Sequence, residues 1–195
     1  MKIHHLLATA AVVALLSSPA LAADGTVRDV NQQNRIESGL QSGELTTQEA
    51  SKLEANQAHI DKVEAKAEKN GKVSKAEKKH IQKLEDKESK DIARQEHDKQ
   101  TGNPNSKSSQ RMQHDVARDA RQENRINEGM KNGSLTNREA SKMERAEARG
   151  DHREAVAGRN GKVSAREEAH IQNKEDKDSG RIYEHKHDHD HHEYN

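Results

Sequence analysis

The densest group of metal-ligating side chains lies at the C-terminal end, in His185-Lys186-His187-Asp188-His189-Asp190-His191-His192-Glu193. If a helix runs through it, His185/His189 and His187/His191 become i, i+4 pairs able to share an ion; an extended chain would still chelate flexibly. Neutral imidazoles suit Zn(II), Cu(II) or Ni(II), and Asp188, Asp190 or Glu193 would complete the coordination. His185, His187, Asp188, His189, Asp190, His191 and His192 are therefore the candidate metal ligands. Binding there weakens as the imidazoles protonate near about pH 6. The plainer account is a frayed, soluble terminus with incidental histidines.

Two other constellations suggest metal chemistry and fail on ligand count. Gly71-Lys72-Val73-Ser74-Lys75-Ala76-Glu77 resembles the second half of an EF-hand calcium loop. Such a loop needs oxygen ligands at its first, third and fifth positions. Those places hold Lys66, Glu68 and Asn70, or Ser38, Leu40 and Ser42 before Gly43, or Val156, Gly158 and Asn160 before Gly161. A helix turn closed by a capping box explains the same residues. Glu77-x-x-His80 and Glu167-x-x-His170 resemble the paired Glu-x-x-His units of ferritin-like di-iron bundles. Both glutamates, however, are already accounted for as capping residues.

Nothing points to an enzyme. The chain has no cysteine nucleophile, no glycine-rich phosphate cradle and no Gly-x-Ser-x-Gly elbow. Its acidic residues are abundant and are expected on solvated helix faces. Lys+Arg 34 and Asp+Glu 34 balance, and aromatic residues are 1%, so neither a basic footprint nor a stacking surface for nucleic acid is present.

The elements that must position any such site come from a tandem duplication. Shifting the chain by 90 residues lays Asn34-Arg35-Ile36 on Asn124-Arg125-Ile126, Glu49-Ala50-Ser51-Lys52 on Glu139-Ala140-Ser141-Lys142, and His80-Ile81-Gln82 on His170-Ile171-Gln172. Inside the first copy, Gly43-Glu44-Leu45-Thr46-Thr47-Gln48-Glu49 is echoed 28 residues later from Gly71. Glycine permits the left-handed turn that ends one helix, Thr or Ser caps the next, and Glu three residues on completes the box. This punctuation predicts three helices per copy: Val27 to Gln41, Thr47 to Lys69 and Lys75 to about Gln95, repeated 90 residues later. Ala50, Leu53, Ile60 and Ala67, then Ile81, Leu84 and Ile92, supply thin apolar stripes.

The expected organisation is a signal peptide over 1–22, one copy over 23–100, a linker over 101–113, a second copy over 114–183 and a His-rich tail over 184–195. The fold class is all-α, slender and lightly packed, because 35% of the chain is charged and its mean hydropathy is -1.30. Lys2, the apolar run Leu6 to Leu16 and Ala20-Leu21-Ala22 form the leader, which implies a periplasmic or secreted protein with no membrane span. The second copy is the poorer one: Ile60, Val63 and Leu84 are replaced by Gly150, Arg153 and Lys174.

Ile36 to Glu49, Gly71 to Glu77 and Ile182-Tyr183-Glu184-His185-Lys186-His187-Asp188 together resemble a group of small exported bacterial proteins. These share Ile-x-x-Gly-x-x-Ser-Gly-x-Leu-Thr-x-x-Glu, Gly-x-Val-Ser/Thr-x-x-Glu and Ile-Tyr-x-x-Lys-His-Asp. The resemblance implies a helical fold and carries over no functional residue. The expected function is that of an exported, non-enzymatic repeat protein acting through its surface on a protein partner, with a chelating tail. The alternatives are a periplasmic metal buffer or resistance protein whose tail is the active part, and an envelope stress or chaperone-like protein.

Overall fold

A computed structural model describes residues 23–187; the expected leader and the tail beyond His187 lie outside them. The described residues form six helices joined by turns, with no strand: α1 (Ala23–Ser42), α2 (Thr47–Glu68), α3 (Lys75–Glu96), α4 (Lys107–Asn132), α5 (Asn137–Gly158) and α6 (Ala165–His187). None of these helices is long and apolar enough to cross a membrane.

Each helix start follows from its cap. The hydroxyls of Thr46, Ser74 and Thr136 accept from the backbone N–H groups of Glu49, Glu77 and Glu139, whose carboxylates in turn accept from the cap N–H. Ser164 and Glu167 repeat the exchange at 2.8 and 3.3 Å. Gly43, Gly71, Gly133 and Gly161, in the turns that precede these caps, all have φ between 77° and 84°. α4 begins at Lys107 under a Ser106 cap, so the second half of the expected linker is helix.

The two copies interlock instead of standing apart. α2 packs along α5 and α1 along α4. The α2/α5 pair is antiparallel, because Ser141 at the start of α5 donates to the carbonyl of Ala65 near the end of α2, and Gln48 donates to Arg159 at the opposite end. Gln113 of α4 likewise donates to the carbonyl of Leu40, late in α1. α3 lies against α1 and α2, and α6 against α4 and α5. This interlocking lets a chain so poor in large apolar residues bury what it has, and it replaces the slender hairpins expected from composition.

Most of the large buried apolar side chains gather in two groups, with Ile60 and Ile81 buried outside them. One joins Ile36, Leu40, Leu45, Leu53 and Ile92 of the first copy to Met112, Val116, Val163 and Ile171 of the second. The other is built from Ile126, Met130, Leu135, Met143 and Ile182, which are the 90-residue equivalents of the first five.

Glycine placement explains the Ile-x-x-Gly spacing. A Cβ at Gly39 would lie 2.6 Å from Leu45 Cγ, and one at Gly129 would lie 2.5 Å from Leu135 Cδ1, whereas nothing lies near Gly180. Gly39→Ala is therefore expected to destabilise the fold by about 1–3 kcal/mol through overpacking. Gly180→Ala should be neutral or stabilising, by up to about 1 kcal/mol. Urea unfolding of the two variants checks the pair, and equal effects would refute the packing account.

Candidate metal centre

Between the apolar groups the interior is acidic. Seventeen Asp and Glu residues are buried among the described residues, and no lysine, arginine or histidine is. Free carboxylates in an apolar interior are strongly disfavoured unless they are paired, protonated or bound to a cation. This overturns the expectation that the acids lie on solvated faces.

Helical periodicity puts them inside. On α2, Glu54, Gln57, Asp61, Glu64 and Glu68 are all buried and follow each other at spacings of three and four. On α5, Glu144, Glu147, Asp151 and Glu154 do the same. On α3, Ile81, Glu85, Glu88 and Ile92 share one face, and Ile171, Glu175, Asp178 and Ile182 repeat it on α6. Leu84, which the sequence suggested for that stripe, is only half-buried. A heptad-like seam that would ordinarily be apolar thus carries acids at its centre and isoleucines at its ends.

The acids converge in three groups, each with carboxylate oxygens within 4.8 Å of one another: Asp29, Glu64 and Glu85; Glu54, Asp119 and Glu154; and Asp61, Glu123 and Glu144. Each group draws one residue from each of three helices. The first two are related by the duplication, since Asp29 and Glu64 correspond to Asp119 and Glu154. Glu175, the counterpart of Glu85, faces Asp119 and Glu154 in the second group. Glu144, the counterpart of Glu54, faces Asp29 and Glu64 in the first.

The third group, joined by Asp151 beside Asp61, has no complete twin. The shift would build one from Asp151, Gln33 and Glu54, but Gln33 is an amide and donates to Glu54 Oε2 at 3.2 Å.

Burial dominates the electrostatics. It pushes Asp29 and Asp115 up to about 7, Glu54 and Glu68 to about 8 and Glu175 to about 9. Asp61, Glu64, Asp119, Glu123, Glu144, Glu147, Asp151 and Glu154 are raised well above the usual carboxylate range, by burial first and by facing acids second. The carboxyls of Asp29, Asp119 and Glu154 are buried with no N–H or hydroxyl donor and meet only facing acids, Asp29 against Glu64 and Asp119 against Glu154; both amide atoms of Gln57 and Gln122 are buried without a hydrogen-bond partner. Most arginines reach the acids from the rim, whereas Arg153 has its Nε and one terminal nitrogen buried. Arg28 lies 3.4 Å from Glu85, Arg118 lies 3.4 Å from Glu175, and Arg153 and Arg181 lie 3.7 and 2.7 Å from Asp178. Arg153 is one of the changes that made the second copy look weaker. In the fold it exchanges the Val63 side chain of the first copy for a cation beside an acid.

The sites suggested by sequence fare differently. Glu77 and Glu167 are capping residues, held below the usual carboxylate range by hydrogen bonds from Ser74 and Ser164. His80 and His170 are exposed, and His170 lines an open surface groove with His152 and Arg166. The Asn70 and Asn160 side chains accept from the backbone N–H groups of Lys72 and Lys162, as turn residues do. Of the tail ligands, His185 lies 3.6 Å from Glu139, and the His187 ring stacks on Tyr183 with centroids 4.1 Å apart. Asp188, His189, Asp190, His191 and His192 are outside the described residues.

The arrangement is a ligand set of carboxylate oxygens without imidazole or thiolate. Such a set prefers hard cations, while the histidine tail prefers borderline ones. Protein-family models, curated proteins and solved structures offer no match to the chain.

Proposed function

We propose that this is an exported, non-enzymatic protein that sequesters hard metal cations in the carboxylate interior of its interlocked repeats. The observation that carries the reading is the burial of seventeen acids among the described residues, where the one guanidinium that reaches inward, that of Arg153, leaves most of them without a basic partner. Cations supply the positive charge that such an interior lacks, and they would replace the protons through which the facing carboxyls of Asp29 and Glu64, and of Asp119 and Glu154, meet. Export rests on the apolar leader at the start of the sequence. This reading differs from the metal-buffer alternative drawn from the sequence, in which the tail is the active part and the repeats are its carrier. Surface-acting and chaperone-like roles have less support: Val156 and Tyr183 are the large apolar side chains exposed among the described residues.

The test is a titration of chelator-stripped protein with an oxygen-preferring cation, Ca2+ or Tb3+, counted by native mass spectrometry. Several ions per chain are expected to bind, with proton release. Truncation after His187 should leave that number unchanged while it weakens Zn(II) binding. Failure of both cations to bind, or loss of all binding with the tail, would refute the reading.

A further inference from the structure

One surface differs between the two copies, and its changes run from acid or amide to base. In the first copy Gln32 Nε2 donates to the Glu85 carbonyl and to Ser89 Oγ at 2.9 and 2.8 Å, while Arg35 reaches the Ser89 carbonyl and Glu96 at 3.3 and 2.6 Å. In the second copy Lys186 stands where the first has Glu96, and its Nζ donates to the Arg125 carbonyl at 3.2 Å. Without that carboxylate, Arg125 directs both terminal nitrogens onto Ser179, at 2.6 Å from Oγ and 3.0 Å from the carbonyl oxygen. The serine hydroxyl is thus taken. Gln122, the twin of Gln32, is left 2% exposed with neither amide atom hydrogen-bonded. A buried amide without partners is costly, so the place asks for a ligand.

Gln122 and Ser179 line a surface cavity of about 270 Å³ together with His114, Arg118, Arg121 and Arg125. His114 and Arg121 replace Asp24 and Asn31 of the first copy. Arg118 is spent on Asp176 and Glu175, at 2.6 and 3.4 Å. Arg125 is bound only to a neutral serine and Arg121 is exposed beside it; neither has a carboxylate within ion-pair distance among the described residues. The buried Glu147 feels Arg125 only from beyond that distance.

Two guanidinium charges without acids, next to an amide with a spare N–H and a spare C=O, suit a ligand that is small, anionic and able both to accept and to donate. Hydrogen phosphate meets all three demands: its oxygens accept from the guanidinium groups and from Gln122 Nε2, and its P–OH donates to Gln122 Oε1. Sulfate brings no proton for the amide oxygen. The cavity lies at the small end of the ~300–1,000 Å³ usual for ligand sites, which fits a single oxyanion better than a nucleotide. We propose that the second copy carries a site for inorganic phosphate between α4 and α6, formed by Arg121, Arg125 and Gln122 and opened by Lys186 standing in place of a carboxylate. This site does not depend on the cation-binding reading.

The experiment is isothermal titration calorimetry of the full chain at pH 7 with chelator present, so that no bound cation bridges to the anion. Inorganic phosphate is expected to bind one per chain, and sulfate and glycerol phosphate at least about tenfold more weakly. Arg121→Asn restores the first copy's residue at an exposed position and should weaken phosphate binding by about tenfold or more. Lys186→Glu, which gives Arg125 the carboxylate that Arg35 has in Glu96, should abolish it. Circular dichroism checks the fold of both variants, and Arg121→Asn decides alone if Lys186→Glu loses helicity. Unaltered affinity in Arg121→Asn, or in a folded Lys186→Glu, would overturn the site. Sulfate or glycerol phosphate binding as tightly as inorganic phosphate would overturn the assignment of the ligand. No heat from phosphate at millimolar concentration would overturn both and leave the cation-binding reading untouched.

Discussion

In the presence of a chelator, raising the pH from 5 to 8 should lower the melting temperature of the protein by at least about 10 °C. The folded state holds protons on Asp29, Glu88 and Asp115 up to about pH 7, on Glu54 up to about 8 and on Glu175 up to about 9. The unfolded chain sheds the same protons near its ordinary pKa of about 4. The folded state therefore binds more protons between those limits. Its stability is fully present below about pH 4 and is lost as the pH rises through 7 to 9. A shift of about three units on one group is worth about 4 kcal/mol, and 1 kcal/mol moves the melting temperature of a chain this size by about 2–4 °C. Bound cations should reverse the trend, because they replace the protons and are lost in acid. Groups held low act in the opposite direction: Glu77, Asp91 and Glu167 stabilise the fold until the pH falls below the carboxylate range. Thermal unfolding followed by circular dichroism at pH 5 and pH 8, with chelator and with Tb3+, measures both trends. A chelated protein equally stable at both pH values would show that the acids are not buried in solution.

Replacing acids by amides should separate stability from binding. Asp119→Asn combined with Glu154→Gln keeps the shape of one outer cluster and removes two of its charges. With chelator at pH 8, the double variant is expected to melt about 5 °C higher than the unaltered protein, since two costly ionisations are gone. With cation, it should bind one ion fewer and lose most of the stabilisation that the unaltered protein gains. Residues selected for folding alone would give the reverse order, with the amides neutral or harmful under both conditions. Binding of the full number of ions by the double variant would remove Asp119 and Glu154 from the site.

The local punctuation of the fold was legible in the sequence. Thr46, Ser74, Thr136 and Ser164 announce helix starts, and α2 and α3 begin where the caps place them, at Thr47 and Lys75. The site was harder to see because charged residues on a helix are ordinarily read as its wet face. Two signals contradicted that habit. Glu85 and Glu88 fall between Ile81 and Ile92 at spacings of four, three and four, on the stripe that the isoleucines mark as internal. The acids of α2 also return in α5, where Glu54, Asp61 and Glu64 become Glu144, Asp151 and Glu154, even though Ile60 and Val63 do not survive the copying. What no periodicity could supply is the antiparallel docking of α2 on α5. It depends on the small faces of Ala65, Ser141, Ala157 and Gly158, and it alone brings acids 90 residues apart within reach of one ion.

The position of the acids also governs time. All nine residues of the three trios are 5% exposed or less, and the apolar groups contain residues that flank the acids along their own helices. An ion held there would have to leave through a closely packed interior, so its departure is expected to follow local opening of the helices that cover it. Residence time then follows the frequency of that opening more than the strength of any one metal–oxygen bond. Competing chelators would find the ion almost inert at neutral pH, and acid, which replaces the ion by protons without unfolding the chain, would be the quick route of discharge.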